Sequence, residues 1–288
     1  DGLSHGASGG LKKVFNKIGD NRFSGVGIGA LVTLINQSSS ATTVMVIGFV
    51  NSGIMTLFQA TTIIMGANIG TTITGVLVAF SSFNFSLYAT VLSVIGVMVA
   101  LFSKNETVKT VGNILAGLGL IFVGLGMMSN SLKNCVEIKD FLTNLFLKAD
   151  FPLLLILIGV LVTALFQSSS AVTGIIITLV SQEVLLISSA LFIVLGTNIG
   201  TCITAVLASI GSNLNAKRAA LIHFLFNFVG MIVFTIICWP LKTQITKLLQ
   251  KISPNSLSMQ VAYFHIIFNV VTTLILLPFV SVLTKIAM

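Results

Sequence analysis

Four consecutive polar residues, Gln37-Ser38-Ser39-Ser40, interrupt otherwise apolar sequence, and a near-copy does so again at Gln167-Ser168-Ser169-Ser170. The surroundings repeat with them. Leu31-Val32-Thr33 precedes the first cluster and Leu161-Val162-Thr163 the second, while GANIGTTIT follows from Gly66 and GTNIGTCIT from Gly196. Both pairs of motifs are 130 positions apart. A constant offset across two motifs marks an internal duplication, so the chain is two halves of one design.

Composition sets the solvent. Of 288 residues 55% are hydrophobic and 8% charged, with a mean hydropathy of +1.08, where a soluble domain carries roughly 25% charged residues. Between Arg22 and Lys104 there is no Asp, Glu, Lys or Arg. Uncharged apolar stretches of that length read as several transmembrane segments. The net charge of +8 sits in short loops between apolar runs, which fits contact with lipid headgroups and excludes a nucleic-acid face. Cys135, Cys202 and Cys238 form no CxxC pair and read as small apolar filler. Residues 1–24 lack the apolar core of a signal peptide. Their Leu11, Val14, Phe15 and Ile18, set against Lys12, Lys13, Lys17, Asp20 and Arg22, suit a helix lying on the membrane surface.

Residues 25–36 and 41–50 flank the first polar cluster as two apolar arms, each roughly 15–18 Å of helix against a hydrocarbon core of roughly 30 Å. Neither arm spans alone, so the pattern predicts a re-entrant helical hairpin with the serines at its tip. Residues 54–80 form a longer segment in which GANIGTT predicts an unwound link between two half-helices. Spans follow at 85–103 and 112–129, and 130–150 reads as a surface segment. The second half replays the order: a hairpin over 153–180, a broken helix over 184–210, a span over 217–239, a basic loop with Lys242, Lys247, Lys251 and Pro254, and a last span over 259–284. Three crossings separate the hairpins, an odd number, so the second enters from the opposite face. The expected fold is an all-α membrane protein of two inverted-topology repeats, each with a re-entrant hairpin and a broken transmembrane helix. Its parts divide as a first repeat over 1–111, a second, inverted repeat over 112–240, and a loop with a C-terminal helix over 241–288. The span at 112–129 predicts an equivalent first transmembrane helix ahead of Asp1. The larger share of the 15 Lys and Arg residues falls on the first hairpin's side, which the positive-inside bias makes cytoplasmic.

The tips carry the chemistry. At each, serines begin the returning half-helix, where free N–H groups and the positive end of the dipole attract an anion and hydroxyls add donors. Carbonyls of the NIGT links, with Asn and Thr oxygens, are hard ligands suited to Na+. The one carboxylate in a membrane segment is Glu183, at the bend after the second hairpin, which argues against a proton relay or multivalent-cation transport. A sodium-coupled anion carrier is the inference. A single polar cluster could equally be small-residue packing between helices, but two matched clusters at one offset argue for a site. The serines lack the paired base and acid of nucleophilic catalysis, so the chain does not read as an enzyme. His223-x-x-Phe226-Asn227 and His265-x-x-Phe268-Asn269 echo each other 42 residues apart, and read as packing and interhelical hydrogen bonding.

These features resemble the type II sodium-dependent phosphate cotransporter family with its bacterial members: both QSSSA tips, both GxNIGT links, the HxxFN echoes, and the glycine-rich span GLGLIFVGLG over 117–126. The resemblance covers nearly the whole chain. It implies Na+-driven uptake of inorganic phosphate at the cell membrane. It implies that Gln37, Ser38, Ser39, Ser40, Gln167, Ser168, Ser169 and Ser170 bind phosphate. It further implies that Gln37, Ser38, Asn68, Thr71, Thr72, Gln167, Ser168, Asn198 and Thr201 serve Na+, the coupling ion. Membrane lipid and a second copy, as a homodimer, are the expected partners. Bacterial members often carry a helical domain resembling a phosphate-signalling regulator after the transport core, whereas the sequence ends at Met288. Electrogenic animal members have an acid where this chain offers Ser93, which implies a lower sodium-to-phosphate ratio. Other readings are a sodium-coupled carrier of sulfate or a carboxylate, and a phosphate-sensing or channel protein.

Overall fold

The computed structural model describes residues 21–80, 86–148 and 151–288; the surface helix expected within 1–24 falls, up to residue 20, outside the described residues. The order is α1 (Arg22–Asn36), α2 (Ser39–Asn51), α3 (Leu57–Gly70), α4 (Thr72–Ala79), α5 (Ser86–Phe102), α6 (Glu106–Asn134) and α7 (Val136–Lys148). It continues with α8 (Pro152–Phe166), α9 (Ser169–Ser181), α10 (Ile187–Ser209), α11 (Leu214–Ile252), α12 (Leu257–Leu276), a 3-10 turn (Leu277–Phe279) and α13 (Val280–Ala287). Among the described residues there is no strand. Five helical stretches among the described residues are long and apolar enough to cross a membrane: Leu57–Ala79, Thr107–Leu132, Ile187–Ser209, Leu214–Ile252 and Leu257–Ala287.

The polar clusters do break the chain. α1 and α2 have 15 and 13 residues, α8 and α9 likewise 15 and 13. Each is roughly 20–23 Å long, short of the roughly 30 Å a span requires. Each first arm lies along a long inner helix, α1 on α3 and α8 on α10. The crossing is tight because it is made of glycine. A Cβ on Gly66 would collide with the Val26 carbonyl oxygen, and a Cβ on Gly196 with that of Ile156. Such small-residue crossings let backbones touch, which in lipid replaces the missing hydrophobic drive between helices.

This overturns the unwound NIGT links. α10 runs without interruption through Gly196–Thr204, and between α3 and α4 only Thr71 intervenes, itself in helical conformation (φ −65°, ψ −22°). The glycines serve close approach rather than backbone freedom. The asparagines reinforce the helix, with Asn68 Nδ2 donating to the Ile64 carbonyl oxygen (2.9 Å) and Asn198 Nδ2 to that of Val194 (3.3 Å). The link carbonyls therefore stay in helical geometry and are not set free as ligands.

The basic loop is also corrected. α11 continues past Pro240, which bends it at Leu241 (φ −105°, ψ 16°), and runs to Ile252. The extension is amphipathic: Ile245 and Leu249 pack on the core while Lys247 and Lys251 stay exposed. The surface segment within 130–150 is mostly helix, and α7 buries none of its residues. Glu183 is exposed at the turn after α9 with φ 58°, and its counterpart Gly53 has φ 70°. α11 and α12 run antiparallel: Phe234 meets Phe268 and Phe264 edge-on, at 4.9 and 6.2 Å between ring centres, while Gly230 lies against Thr272.

Replacing Gly66 or Gly196 by alanine should lower the thermal unfolding midpoint in detergent, by an overpacking cost of about 1–3 kcal/mol. Gly27→Ala, with nothing within 4 Å of its new Cβ, should instead raise it by about 0.5–1 kcal/mol. Equal effects at both kinds of site would refute the close-approach account.

Candidate functional site

The two breaks are built alike. α1 ends on Gln37, left-handed at φ 55°, whose N–H bonds the Thr33 carbonyl oxygen at 2.8 Å; α8 ends on Gln167 at φ 56°, bonded to Thr163 at 2.7 Å. Left-handed backbone is uncommon for a residue with a side chain, and cheapest at a helix C-terminus. Ser38 and Ser168 then extend (φ −146° and −145°) and cap the next helix, their Oγ atoms accepting from the N–H of Ala41 (3.1 Å) and Ala171 (3.2 Å). Each such cap is worth about 1 kcal/mol. Burial repeats as well: the glutamines are exposed, Ser39 and Ser169 are 5% and 3% exposed, and the serines on either side are half-buried.

The tips meet. The Ser40 hydroxyl donates to the Gln167 carbonyl oxygen at 3.3 Å, which brings the first turns of α2 and α9 together. The α3–α4 junction closes on both: Thr71 Oγ1 lies 3.1 Å from Ser170 Oγ, and Thr74 Oγ1 donates to Gln37 Oε1 at 2.8 Å. Gln37, Ser40, Thr71, Thr74, Gln167 and Ser170 thus share one cluster. It offers hydroxyls and amides beside two helix N-termini, and contains no ionised side chain. Donors and positive dipole ends suit an oxyanion, and the same hydroxyl and amide oxygens suit a hard monovalent cation.

Other residues expected at the site turn elsewhere. Asn68 and Asn198 bond their own helices, Thr72 Oγ1 donates to the Ile69 carbonyl oxygen (2.7 Å), and Thr201 Oγ1 to that of Thr197 (2.9 Å). All four are buried, at 3%, 1%, 4% and 3% exposure. Thr74 was missed, although it stands one turn after Thr71 within the repeated motif, on the same helix face.

The halves differ just behind the tips. In the first, Thr33 Oγ1 donates to Thr42 Oγ1 (2.9 Å), Asn36 Nδ2 donates to Thr42 Oγ1 (3.0 Å), and Asn36 Oδ1 accepts from the Ser38 N–H (2.9 Å). The counterparts in the second half are Thr163, Val172 and Phe166. Thr163 Oγ1 is accordingly buried without a partner. Thr42→Val should therefore destabilise the protein by about 1–3 kcal/mol, because it orphans Thr33 in the same way. Val172→Thr should be tolerated because Thr163 gains a partner. Thermal unfolding of both variants checks the pair, and a neutral Thr42→Val would sink the account.

Comparison with known proteins identifies the family. The family model described as Na+/Pi-cotransporter matches residues 1–130 and 137–276. The "Uncharacterized protein YqeW" of Bacillus subtilis is 33% identical over 204 residues, covering 71% of this chain and 65% of that protein. The "Putative inorganic phosphate export protein YjbB" of Escherichia coli is 30% identical over 210 residues, covering 73% of this chain and 37% of that one. "Sodium-dependent phosphate transport protein 2B" of Homo sapiens is 42% identical over 88 residues, 28% of this chain and 13% of that protein. The chain thus aligns with less than two thirds of the length of these curated relatives. No solved structure matches. With its family model covering most of the sequence and its transmembrane helices in place, the chain is a multi-pass membrane protein that belongs to the Na+/Pi-cotransporter family.

Proposed function

We infer that this protein is a secondary transporter that couples the entry of Na+ to uptake of inorganic phosphate. The observation that carries the reading is the meeting of the two tips, Ser40 on the Gln167 carbonyl and Thr71 on Ser170. Phosphate sits between the first turns of α2 and α9, held by the serines and glutamines of both QSSS blocks. Sodium is held by tip oxygens together with Thr71 and Thr74. Asn68, Thr72, Asn198 and Thr201, bonded within their own helices, support the site from behind and become ligands only on rearrangement. The halves are inverted repeats, their hairpins re-entrant from opposite faces, and the central site opens to each side in turn. The printed name of the Escherichia coli relative speaks of export. In a sodium-coupled carrier the ion gradient sets the direction, so uptake follows from an inward gradient.

The deciding experiment is radiolabelled phosphate uptake into proteoliposomes holding the full-length protein, with and without an inward Na+ gradient. Accumulation should need the gradient, and Ser39→Ala combined with Ser169→Ala should abolish it while the protein stays folded. Uptake indifferent to sodium would point to a channel; selective uptake of sulfate or a carboxylate would replace the substrate.

Ser93, 7% exposed, lies against the Ala116 carbonyl oxygen (3.5 Å) between α5 and α6 and supplies no charge for an additional sodium ion. Uptake should therefore carry no net inward current. A sodium- and phosphate-dependent inward current across the reconstituted membrane would overturn that stoichiometry.

A further inference from the structure

The two HxxFN motifs are absorbed by nothing above, and the structure makes them a matched pair. His223 and His265 are buried, at 0% and 1% exposure, and neither ring nitrogen of either has a hydrogen-bond partner. In both motifs the asparagine Nδ2 donates to the histidine's own carbonyl oxygen at 2.9 Å. That bond fixes which way each amide faces, and leaves Asn227 Oδ1 and Asn269 Oδ1 buried without a partner. The interhelical bonds expected of these residues reduce to two weak contacts with Cys202, Asn227 Nδ2 donating to Cys202 Sγ at 3.5 Å and Cys202 Sγ donating to the His223 carbonyl oxygen at 3.7 Å.

A third orphan joins each pair. A Cβ placed on Gly75 would touch Thr173 Cγ2 and His265 Nδ1, at 3.6 and 3.8 Å, so the threonine and the imidazole both border the space beside Gly75. Thr173 Oγ1 has no partner. Its counterpart Thr43, also at 0% exposure, has an equally orphaned hydroxyl. Asn51 at the end of α2 is bonded to Asn213 at the start of α11, and Val46, Ile47 and Val50 cluster with Ala216, Ala219 and Ala220. Extrapolating that pairing by one turn sets Thr43 opposite His223. The offset of 42 also carries Gly230 onto Thr272, two residues in contact where α11 crosses α12. That crossing is where a twofold axis relating the motifs would pass.

We propose that His223–Asn227–Thr43 and His265–Asn269–Thr173 are two equivalent cation sites, each holding behind a hairpin tip one resident sodium ion that is not among those carried with phosphate. The free atoms are mainly lone-pair donors: an amide oxygen, a hydroxyl oxygen and one imidazole nitrogen. Their amide N–H groups are already engaged, which disfavours an anion. All are neutral, so a monovalent ion fits where a divalent one would need carboxylates. A buried polar atom without a partner is unfavourable, and here the same atoms are orphaned twice. The proposal rests on the sodium-coupled reading only for the choice of ion.

The test uses the full-length protein in detergent, without phosphate. Sodium replaces choline at constant ionic strength, with bound 22Na+ and the unfolding midpoint as readouts. Wild type should bind Na+ and be stabilised by it. Asn227→Leu with Asn269→Leu should weaken the apparent affinity by about tenfold or more. Asn269→Asp, which keeps the shape and adds a charge, should tighten it, so a fold lost in the leucine variant does not decide the matter. Val172→Thr, behind the second tip and outside both sites, should retain this binding. Sodium binding unchanged in both asparagine variants overturns the proposal, leaving water as the occupant. Phosphate uptake that remains sodium-driven would then show that the coupled reading survives it.

Discussion

A helix that stops must find partners for its last carbonyls and for the first N–H groups of the helix that follows. This chain meets that demand twice with the same two residues. Gln37 and Gln167 turn left-handed and return their N–H groups to Thr33 and Thr163, and Ser38 and Ser168 accept from Ala41 and Ala171. The break is thus closed locally. Ser40 and Ser170 are consequently available for contacts across the molecule, and both make one. Adjacent positions are under no such demand, which is why Asn36 and Thr42 can be replaced by Phe166 and Val172 in the second half.

A tip is useful only if it is held at the right depth. The first arm of each hairpin is fixed to an inner helix by a crossing that only glycine permits, Gly66 on Val26 and Gly196 on Ile156. Four residues past Gly66 the same helix face reaches the Gly70–Thr71 turn, and there Thr71 and Thr74 touch the tips. The glycines therefore act on the site through packing. They set the distance between the tip and its threonines.

Much of this was legible in the sequence because it is local. The duplication, the two breaks, their short arms and the long apolar spans follow from composition and spacing. The misreadings arise where one residue type serves two purposes. Gly66, Gly70, Gly196 and Gly200 were read as freedom for the backbone, when they provide room for a neighbour, and only the tertiary partner tells these apart. Lys242, Lys247, Lys251 and Pro254 suggest a loop in the sequence, yet Pro240 bends the helix without ending it, because Ile245 and Leu249 beyond it have a core to join. Thr74 sat inside a motif already recognised. Its role depends on Gln37, 37 positions away, which periodicity cannot reveal.

The contact between the tips is thin for two elements at the centre of a protein. Between the tips themselves there is one 3.3 Å hydroxyl–carbonyl bond, while a 3.1 Å hydroxyl pair joins Thr71 to the second tip and a 2.8 Å bond joins Thr74 to the first, each worth about 0.5–1.5 kcal/mol net. The crossings of α1 on α3 and α8 on α10 are rigid by comparison, because backbone touches backbone along them. In the alternating-access reading, motion consequently falls between the halves rather than within them. Each hairpin would travel with its own inner helix, and a ligand bridging the two QSSS blocks would join the bodies that must move. A ligand held on one tip alone would have no differential hold on the two states, and could not drive the change.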